Sequence, residues 1–265
     1  MYCKRWTPNC YPIEHRYYVK LYGVIPPCCR DKLYEMLVDI KTVFNAAGIK
    51  WWMMFGTLLG AVRQQDIIPI DSDVDLGIAW EDMPKVDRVI PFLRDRYYRV
   101  QRWVKRYGKI TMKYSMINKN RIDMFFYRFD NKKGVYRIFH PDMNAPFWQR
   151  TDLYEREVAQ LGEATIRDHT FPTIAEPEGF LKRFYGDDWT VQLKYPSLNL
   201  PEPPYTDDTQ FRYYIKRNMY RTLHWHQFFH SKGPQQEIAR KKSYLYKVLE
   251  TQEIQRAVAN INKDA

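Results

Sequence analysis

The chain has 265 residues, of which 45% are apolar and 16% aromatic. This length and composition exclude a disordered protein and indicate a globular core. Lys and Arg outnumber Asp and Glu by 42 to 31, so the formal net charge is +11. That charge suits a phosphate-bearing substrate and equally a solubilising surface.

Membrane and export signals are absent from the sequence. No apolar run approaches the roughly 20 residues of a membrane span. Residues 1–30 are too polar and aromatic for a signal peptide. The sequence as it stands therefore predicts a cytoplasmic protein, or a lumenal protein whose anchor has been removed.

All four cysteines fall within the first 29 residues, at Cys3, Cys10, Cys28 and Cys29. Two disulfides are one explanation, but the adjacent Cys28 and Cys29 would have to reach separate partners from one turn. Four thiolates around one tetrahedral zinc ion are the favoured interpretation. The sequence therefore predicts a zinc-binding segment over residues 1–29, in which the zinc is structural.

The next two elements predicted are helices on either side of a strand. Apolar residues with helical spacing predict a helix from Arg30 to Ala47, with Gly48 suited to its C-terminal cap. A strand over 49–55 leads to a short helix from Gly56 to Val62. The N-terminus of that helix, at Gly56-Thr57, offers free N–H groups to a phosphate.

Three acidic residues follow at alternate positions, Asp71, Asp73 and Asp75. In an extended chain such residues line one face, so we expect the three carboxylates to lie together. Crowded like charges cost stability unless a cation binds them. The pattern predicts a metal site. A calcium-binding EF-hand is disfavoured because no Gly-containing twelve-residue loop surrounds the acids.

A strand from Asp73 to Ala79 is predicted here, followed by a helix over 83–96 and strands over 97–107, 109–117 and 121–128. Asp123 lies between bulky apolar residues on the last of these strands. A charge on a central strand is costly without a partner. We therefore expect Asp123 to be a fourth carboxylate of the same site.

The remaining elements are weaker predictions. A strand is expected over 135–140, an irregular segment over 141–175, and a helix from Glu176 to Phe184. The sequence shows no internal repeat and no low-complexity linker. We predict one catalytic domain over residues 30–207, with a largely helical extension over 208–265 packed on it.

Four motifs resemble the LicD and fukutin families of phosphotransferases, which belong to the DNA polymerase beta-like nucleotidyltransferase superfamily. They are GTLLGAVR at 56–63, IPIDSDVDL at 68–76, RIDMF at 121–125 and FLKRFYGDDW at 180–189. The resemblance implies an α+β fold with a mixed sheet flanked by helices. The spacing C-x6-C-x17-C-C is similar to a zinc-binding insertion in the eukaryotic ribitol-phosphate transferases, whose compartment is the Golgi lumen.

The resemblance also implies a substrate class. In the favoured branch the CDP-activated alcohol donor is CDP-ribitol, and ribitol 5-phosphate passes to a hydroxyl of a glycan or polyol-phosphate acceptor. Mg²⁺ or Mn²⁺ is expected on Asp73 and Asp75. Asp71 is expected as a further ligand or an orienting acid, and Asp123 as proton acceptor or shared metal ligand.

The phosphates have several candidate partners. Gly56 and Thr57 are expected to cradle the donor phosphates through backbone N–H groups. Arg63 is expected to pair bidentately with a phosphate oxygen, with a structural pair to an aspartate as the alternative. Lys109 and Lys113 are candidates for the developing negative charge, although a solvated surface position is favoured for each.

Other functions remain open on the sequence alone. A second interpretation keeps the fold and changes the donor, so that phosphocholine or glycerol phosphate is transferred from its CDP-activated form. Aromatic residues between Lys and Arg over 97–114 are compatible with an RNA nucleotidyltransferase, but their alternation is explained more simply by two faces of a sheet, and no nucleic acid is expected. A non-catalytic glycan-binding relative is disfavoured because all four acids are present. Homo-oligomerisation is left open.

Overall fold

The structure is a computed structural model that describes residues 25, 27–115, 118, 120–140 and 146–191. The cysteine-rich segment up to residue 24 and the extension over 208–265 lie outside the described residues. The proposed division into three parts therefore stays a prediction. In the described part of the chain, no helix has the length and apolar character needed to cross a bilayer.

The described residues contain seven α-helices and nine β-strands. The helices are α1 Pro27–Ala46, α2 Phe55–Gln64, α3 Met83–Asp95, α4 Val104–Tyr107, α5 Pro146–Gln149, α6 Glu155–Ala159 and α7 Pro177–Tyr185. The strands are β1 Trp51–Met53, β2 Asp73–Ala79, β3 Arg99–Trp103, β4 Lys109–Lys113, β5 Arg121–Asp130, β6 Val135–Ile138, β7 Leu153–Tyr154, β8 Gly162–Ile166 and β9 His169–Thr173.

Seven of these strands form one mixed sheet in which β5 is central. The strand order is β1-β2-β5-β4-β3, and β6 continues the β4 side of β5 and pairs in turn with β7. Strands β2 and β5 are parallel, and the other pairs are antiparallel. Strands β8 and β9 form a separate hairpin. The chain thus has the α+β fold with a mixed sheet flanked by helices that the resemblance implied.

One face of the sheet is the hydrophobic core. Alternate residues of the strands point to that face, and nine even-numbered residues of β2–β5 are apolar and buried: Val74, Leu76, Ile78, Val100, Ile110, Met112, Ile122, Met124 and Phe126. Helix α1 packs against β2 and β5, and α3 packs against β3. Each fully buried side chain of this kind contributes about 1.5–3 kcal/mol. The odd-numbered residues of these strands point to the opposite face.

Two of the predicted segments differ from the structure. The predicted strand over 97–107 is β3 followed by the single helical turn α4. Gly108 then reverses the chain at φ +62°, where a Cβ atom would lie 2.0 Å from the carbonyl oxygen of Phe139. The segment 141–175 was predicted to be irregular, but it contains α5, α6 and β7–β9. These elements have two to five residues, too few to produce a periodic pattern.

The cysteines also depart from the prediction of four zinc-binding thiolates. Cys29 is fully buried and disulfide-bonded, and a sulfur in a disulfide is not a thiolate ligand. Cys28 is half-buried at the start of α1, whereas Cys3 and Cys10 lie outside the described residues. For Cys29 the structure has the disulfide that was the less favoured interpretation. Zinc binding itself stays a prediction.

Candidate functional site

The face opposite the core carries the polar residues of four strands in three rows. Directly opposite residues of neighbouring strands point to the same side of a sheet. From β2 to β3 the rows are Asp73, Arg121, Lys113 and Arg99; then Asp75, Asp123, Thr111 and Gln101; then Gly77, Phe125, Lys109 and Trp103. This face is therefore acidic at β2 and β5, and basic and aromatic at β4 and β3.

Three carboxylates form a cluster at the acidic end. Asp73, Asp75 and Asp123 each have a carboxylate oxygen within 4.8 Å of the others. Asp75 and Asp123 are direct partners in the parallel pairing of β2 with β5. Asp123 is 4% exposed. Parallel pairing of these two strands thus brings together acids that are 48 residues apart in the sequence.

Asp71 does not lie on the strand, which corrects the prediction that three alternate acids share one face of it. Strand β2 begins at Asp73, and the N–H of Asp71 donates to the carbonyl of Ile68 at 2.9 Å. Its carboxylate lies against the N-terminus of α2. A Cβ atom on Gly56 would be 2.2 Å from its Oδ2, so the absence of a side chain at Gly56 makes room for Asp71.

Burial and mutual repulsion disfavour the charged form of these acids. Burial raises the pKa of Asp75 well above its ordinary value, and the charges of Asp73, Asp123 and Asp71 raise it further, against the effect of Lys109. Burial, with the charge of Asp73, raises the pKa of Asp71 to about 7, and Arg63 opposes that rise. Carboxylates held together at this cost fit a site for a cation.

Three neighbouring side chains donate to the cluster. Lys109 Nζ lies 2.7 Å from Asp123 Oδ2, and the Thr111 hydroxyl donates to Asp123 Oδ1 at 2.5 Å. Arg121 donates to Asp73 and lies 3.4 Å from Asp123 Oδ2. Sequence reasoning included Lys109 but missed Thr111 and Arg121. Alternation along the strand could have identified Arg121, because it precedes Asp123 by two residues on β5 and therefore points to the same face.

A groove of about 260 Å³ extends from Asp123 across the basic end of this face. Its walls are formed by Gln101, Trp103, Tyr107, Lys109, Thr111, Lys113, Arg121 and Asp123. The structure therefore places both predicted lysines on one groove beside the carboxylates. Trp103 is 39% exposed and presents an aromatic surface at the far end.

The predicted phosphate-binding residues of α2 have contacts within the protein. Thr57 is buried, and its hydroxyl accepts a hydrogen bond from the N–H of Asp75 at 2.8 Å. This bond ties the start of α2 to the acidic strand. Because Gly56 packs against the Asp71 carboxylate, the helix N-terminus already faces a negative group of the chain. Phosphate contact at Gly56 and Thr57 stays a prediction.

Arg63 lies in the last turn of α2 rather than at its start. Its Nη1 is 3.4 Å from the carbonyl oxygens of Trp189 and Val191. Its Nε is buried without a hydrogen-bond partner among the described residues. Arg63 also lowers the pKa of Asp71. Its hydrogen bonds are therefore to the segment after α7, and its charge acts on the carboxyl group of Asp71.

Tyr185, at the end of α7, is a further residue beside the acids. Burial raises the pKa of its hydroxyl, the charges of Asp71 and then Asp75 raise it further, and Arg63 lowers it. The ring packs on Phe184 with centroids 4.8 Å apart and is 39% exposed. From the sequence, the segment from Tyr185 to Trp189 is interpreted either as a cover over the acceptor or as a buried aromatic anchor. Its position beside the acids was not predicted, because no local pattern links α7 to β2.

A comparison with protein families matches residues 48–173 to the LicD/FKTN/FKRP nucleotidyltransferase domain. This chain contains a LicD/fukutin-family domain. The matched residues contain the whole carboxylate cluster and the groove. The family domain therefore coincides with the sheet face that carries the site.

The alignments with curated relatives cover only part of each relative's length. The uncharacterised protein RT0683 of Rickettsia typhi is 30% identical over 134 residues, 51% of this chain and 40% of that protein. The human ribitol 5-phosphate transferase FKRP is 47% identical over 64 residues, 24% of this chain and 13% of FKRP. The chain thus spans well under two thirds of both relatives. Among solved structures, the lincomycin-bound lincosamide antibiotic adenylyltransferase LnuA aligns with a TM-score of 0.38 and 15% identity, over 57% of this chain and 82% of LnuA.

Proposed function

We propose that this chain transfers ribitol 5-phosphate from CDP-ribitol to a hydroxyl of a glycan or polyol-phosphate acceptor, in a metal-dependent reaction. The observation that carries the proposal is the cluster of Asp73, Asp75 and Asp123 beside a basic and aromatic groove. Similarity to ribitol 5-phosphate transferases supports the choice of donor.

The carboxylate cluster has the chemistry of a magnesium or manganese site. Hard oxygen ligands suit both ions, and Asp73, Asp75 and Asp123 supply such oxygens at short mutual distances. When bound, the metal would offset the negative charge of the donor diphosphate. Asp71 lies outside this three-residue set, so we assign it to orienting the acidic strand rather than to a first ligand position.

The proposed reaction exchanges one P–O bond for another. The acceptor oxygen forms a bond to the ribitol-bearing phosphorus, the bond from that phosphorus to the CMP oxygen breaks, and the hydroxyl proton is released. Both oxygens of Asp123 accept bonds from Lys109 and Thr111. Of the two roles expected for Asp123, this arrangement favours a metal ligand over a proton acceptor.

The groove supplies binding groups for the rest of the donor. Lys109, Lys113 and Arg121 place positive charge along its walls, which suits a diphosphate. Trp103 and Tyr107 have ring centroids 6.3 Å apart at its aromatic end. Such rings suit stacking of a nucleobase. The groove therefore fits the nucleotide part of a CDP-activated alcohol.

The decisive experiment offers the purified protein CDP-ribitol, CDP-glycerol and CDP-choline, each with a polyol-phosphate or glycan acceptor and with Mg²⁺, Mn²⁺ or EDTA. Mass spectrometry measures CMP and the modified acceptor. We expect CMP release with CDP-ribitol and a metal, and none with EDTA. The control variant is Asp87→Asn, which removes an exposed carboxylate on α3 that pairs with Arg102 of β3, outside the carboxylate cluster.

The outcomes separate the parts of the proposal. Faster metal-dependent turnover of CDP-glycerol or CDP-choline would reject the ribitol donor and retain the transferase. Turnover of CDP-ribitol at full rate in EDTA would reject the role of the metal. Incorporation of nucleotide into RNA, with no acceptor modified by any donor, would replace the proposed function by an RNA nucleotidyltransferase.

A further inference from the structure

Arg121 contacts the same carboxylates that the proposed function gives to the metal. Its Nη2 donates to Asp73 Oδ2, and its Nε lies 3.4 Å from Asp123 Oδ2. Both contacts follow from the sheet, since Asp73 is the cross-strand partner of Arg121 and Asp123 is two residues along β5. A metal ion held by this cluster requires oxygens that the guanidinium contacts here.

The same side chain also forms a wall of the groove. Arg121 lies directly opposite Lys113 in the β4–β5 pairing, and Lys113 lies opposite Arg99 on β3. The side chain of Arg121 is 39% exposed, whereas that of Asp123 is 6% exposed. The guanidinium therefore lies at the boundary between the acidic cluster and an open, basic surface. A change of rotamer can turn it from one to the other.

We infer that Arg121 alternates between two positions: on Asp73 and Asp123 when the metal is absent, and in the groove, on the donor phosphates, when the metal is bound. This inference rests on the proposed function and assigns a positioning residue to it. A bidentate guanidinium suits both a carboxylate and a phosphate. The metal and the donor then bind in order, with the metal first, because the metal releases the group that binds the donor.

Charge balance gives the physical reason. Lys109 and Arg121 face three carboxylates, so the fully ionised cluster carries about one uncompensated negative charge without a metal. A divalent cation makes the cluster positive if both side chains stay. Lys109 is held by Asp123 Oδ2 at 2.7 Å and by the ring of Phe125. Arg121, the more exposed of the two, is therefore the cation that like-charge repulsion displaces.

The test measures Mn²⁺ binding to substrate-free protein from the electron paramagnetic resonance of free Mn²⁺. Wild type is compared with Arg121→Gln, Arg121→Lys and Arg99→Gln. Arg99→Gln is the matched control because it removes the same charge from the same face of the sheet, at a position three strands away from Asp73. We expect Arg121→Gln to bind Mn²⁺ about 5- to 20-fold more tightly, Arg121→Lys to be intermediate, and Arg99→Gln to stay within about twofold of wild type.

A second measurement determines CDP affinity at saturating Mn²⁺ by calorimetry. We expect Arg121→Gln to bind CDP roughly tenfold more weakly than wild type. The variant is thus expected to gain affinity for the metal while it loses affinity for the nucleotide. A merely structural role would weaken both, and circular dichroism establishes that each variant is folded.

Several results would overturn this inference. Unchanged or weaker Mn²⁺ binding by both Arg121→Gln and Arg121→Lys removes the competition, and unchanged CDP affinity of Arg121→Gln removes the second position. Absence of Mn²⁺ binding in wild type and variants rejects both the metal site and the role of Arg121. Tighter Mn²⁺ binding by Arg121→Gln, with no turnover of CDP-ribitol, rejects the donor alone and retains the role of Arg121.

Discussion

The acidic and basic halves of the polar sheet face are built from the same elements but held together differently. On β2 and β5, carboxylates face one another across a parallel pair, and burial together with their charges raises the pKa of Asp75. On β4 and β3, cationic and aromatic side chains line an open groove. The acidic half is costly to bury without a cation, whereas the basic half is partly exposed to solvent. The proposed function uses this difference, with a metal on the acidic half and the substrate on the basic half.

The largest effect is expected at Asp75 in the acidic half, where a substitution should lower activity but raise stability. Asp75→Asn should lower metal-dependent CMP release by about 1,000-fold or more, because a metal ligand is lost. The same change should raise the free energy of unfolding of metal-free protein by about 1–3 kcal/mol, because a buried charge with a raised pKa is removed. Urea unfolding in EDTA and the CMP assay measure the two quantities.

Asp87→Asn is the control for both measurements, since Asp87 is an exposed acid outside the cluster. It should leave activity and stability nearly unchanged. Loss of stability in metal-free Asp75→Asn would show that the Asp75 carboxylate is not under electrostatic strain.

The next largest effect is expected at Lys109, on the boundary between the acidic and basic halves. Lys109→Met removes the cation 2.7 Å from Asp123 and leaves a buried carboxylate with less compensation. We expect activity to fall about 10- to 100-fold and the free energy of unfolding to fall by about 1–2 kcal/mol. Lys105→Met, an exposed position on α4, is the matched control. Equal behaviour of the two variants would contradict a role for Lys109 in the site.

A smaller effect is expected at the far end of the basic half. Trp103→Ala should raise KM for the CDP donor about 5- to 10-fold with little change in kcat, because base stacking is lost. Phe139→Ala is the control, since both side chains are 39% exposed but Phe139 does not line the groove. If the two variants have the same KM, Trp103 does not contact the donor.

The smallest effect concerns Asp71 and pH. Its pKa is about 7 in the fold, against an ordinary value of 3.8. The folded state therefore holds the proton more tightly than the unfolded state, and this contribution to stability declines as pH rises between those values. In EDTA we expect wild type to lose roughly 1 kcal/mol per pH unit relative to Asp71→Asn between pH 5 and 6.5. Parallel stability curves for the two proteins would refute the raised pKa.

Much of the framework was predictable from local patterns. Strand β2 has the predicted bounds Asp73–Ala79, and α1 follows its apolar period closely, because long or strongly alternating segments specify their own structure. Asp123 was recognised as an acid among apolar neighbours on a central strand, which the order of the sheet confirms. The short elements between 146 and 173 were missed because tertiary contacts, rather than local periodicity, define them.

The sequence by itself determined the family motifs, the acidic strand and the presence of a remote carboxylate, because each is a local pattern of residue types. Only the tertiary structure decided their partners. Strand pairing set Asp75 opposite Asp123 and Arg121 opposite Asp73, and the turn before β2 moved Asp71 from the strand to Gly56. These arrangements depend on the register between strands distant in sequence, which local residue patterns do not encode.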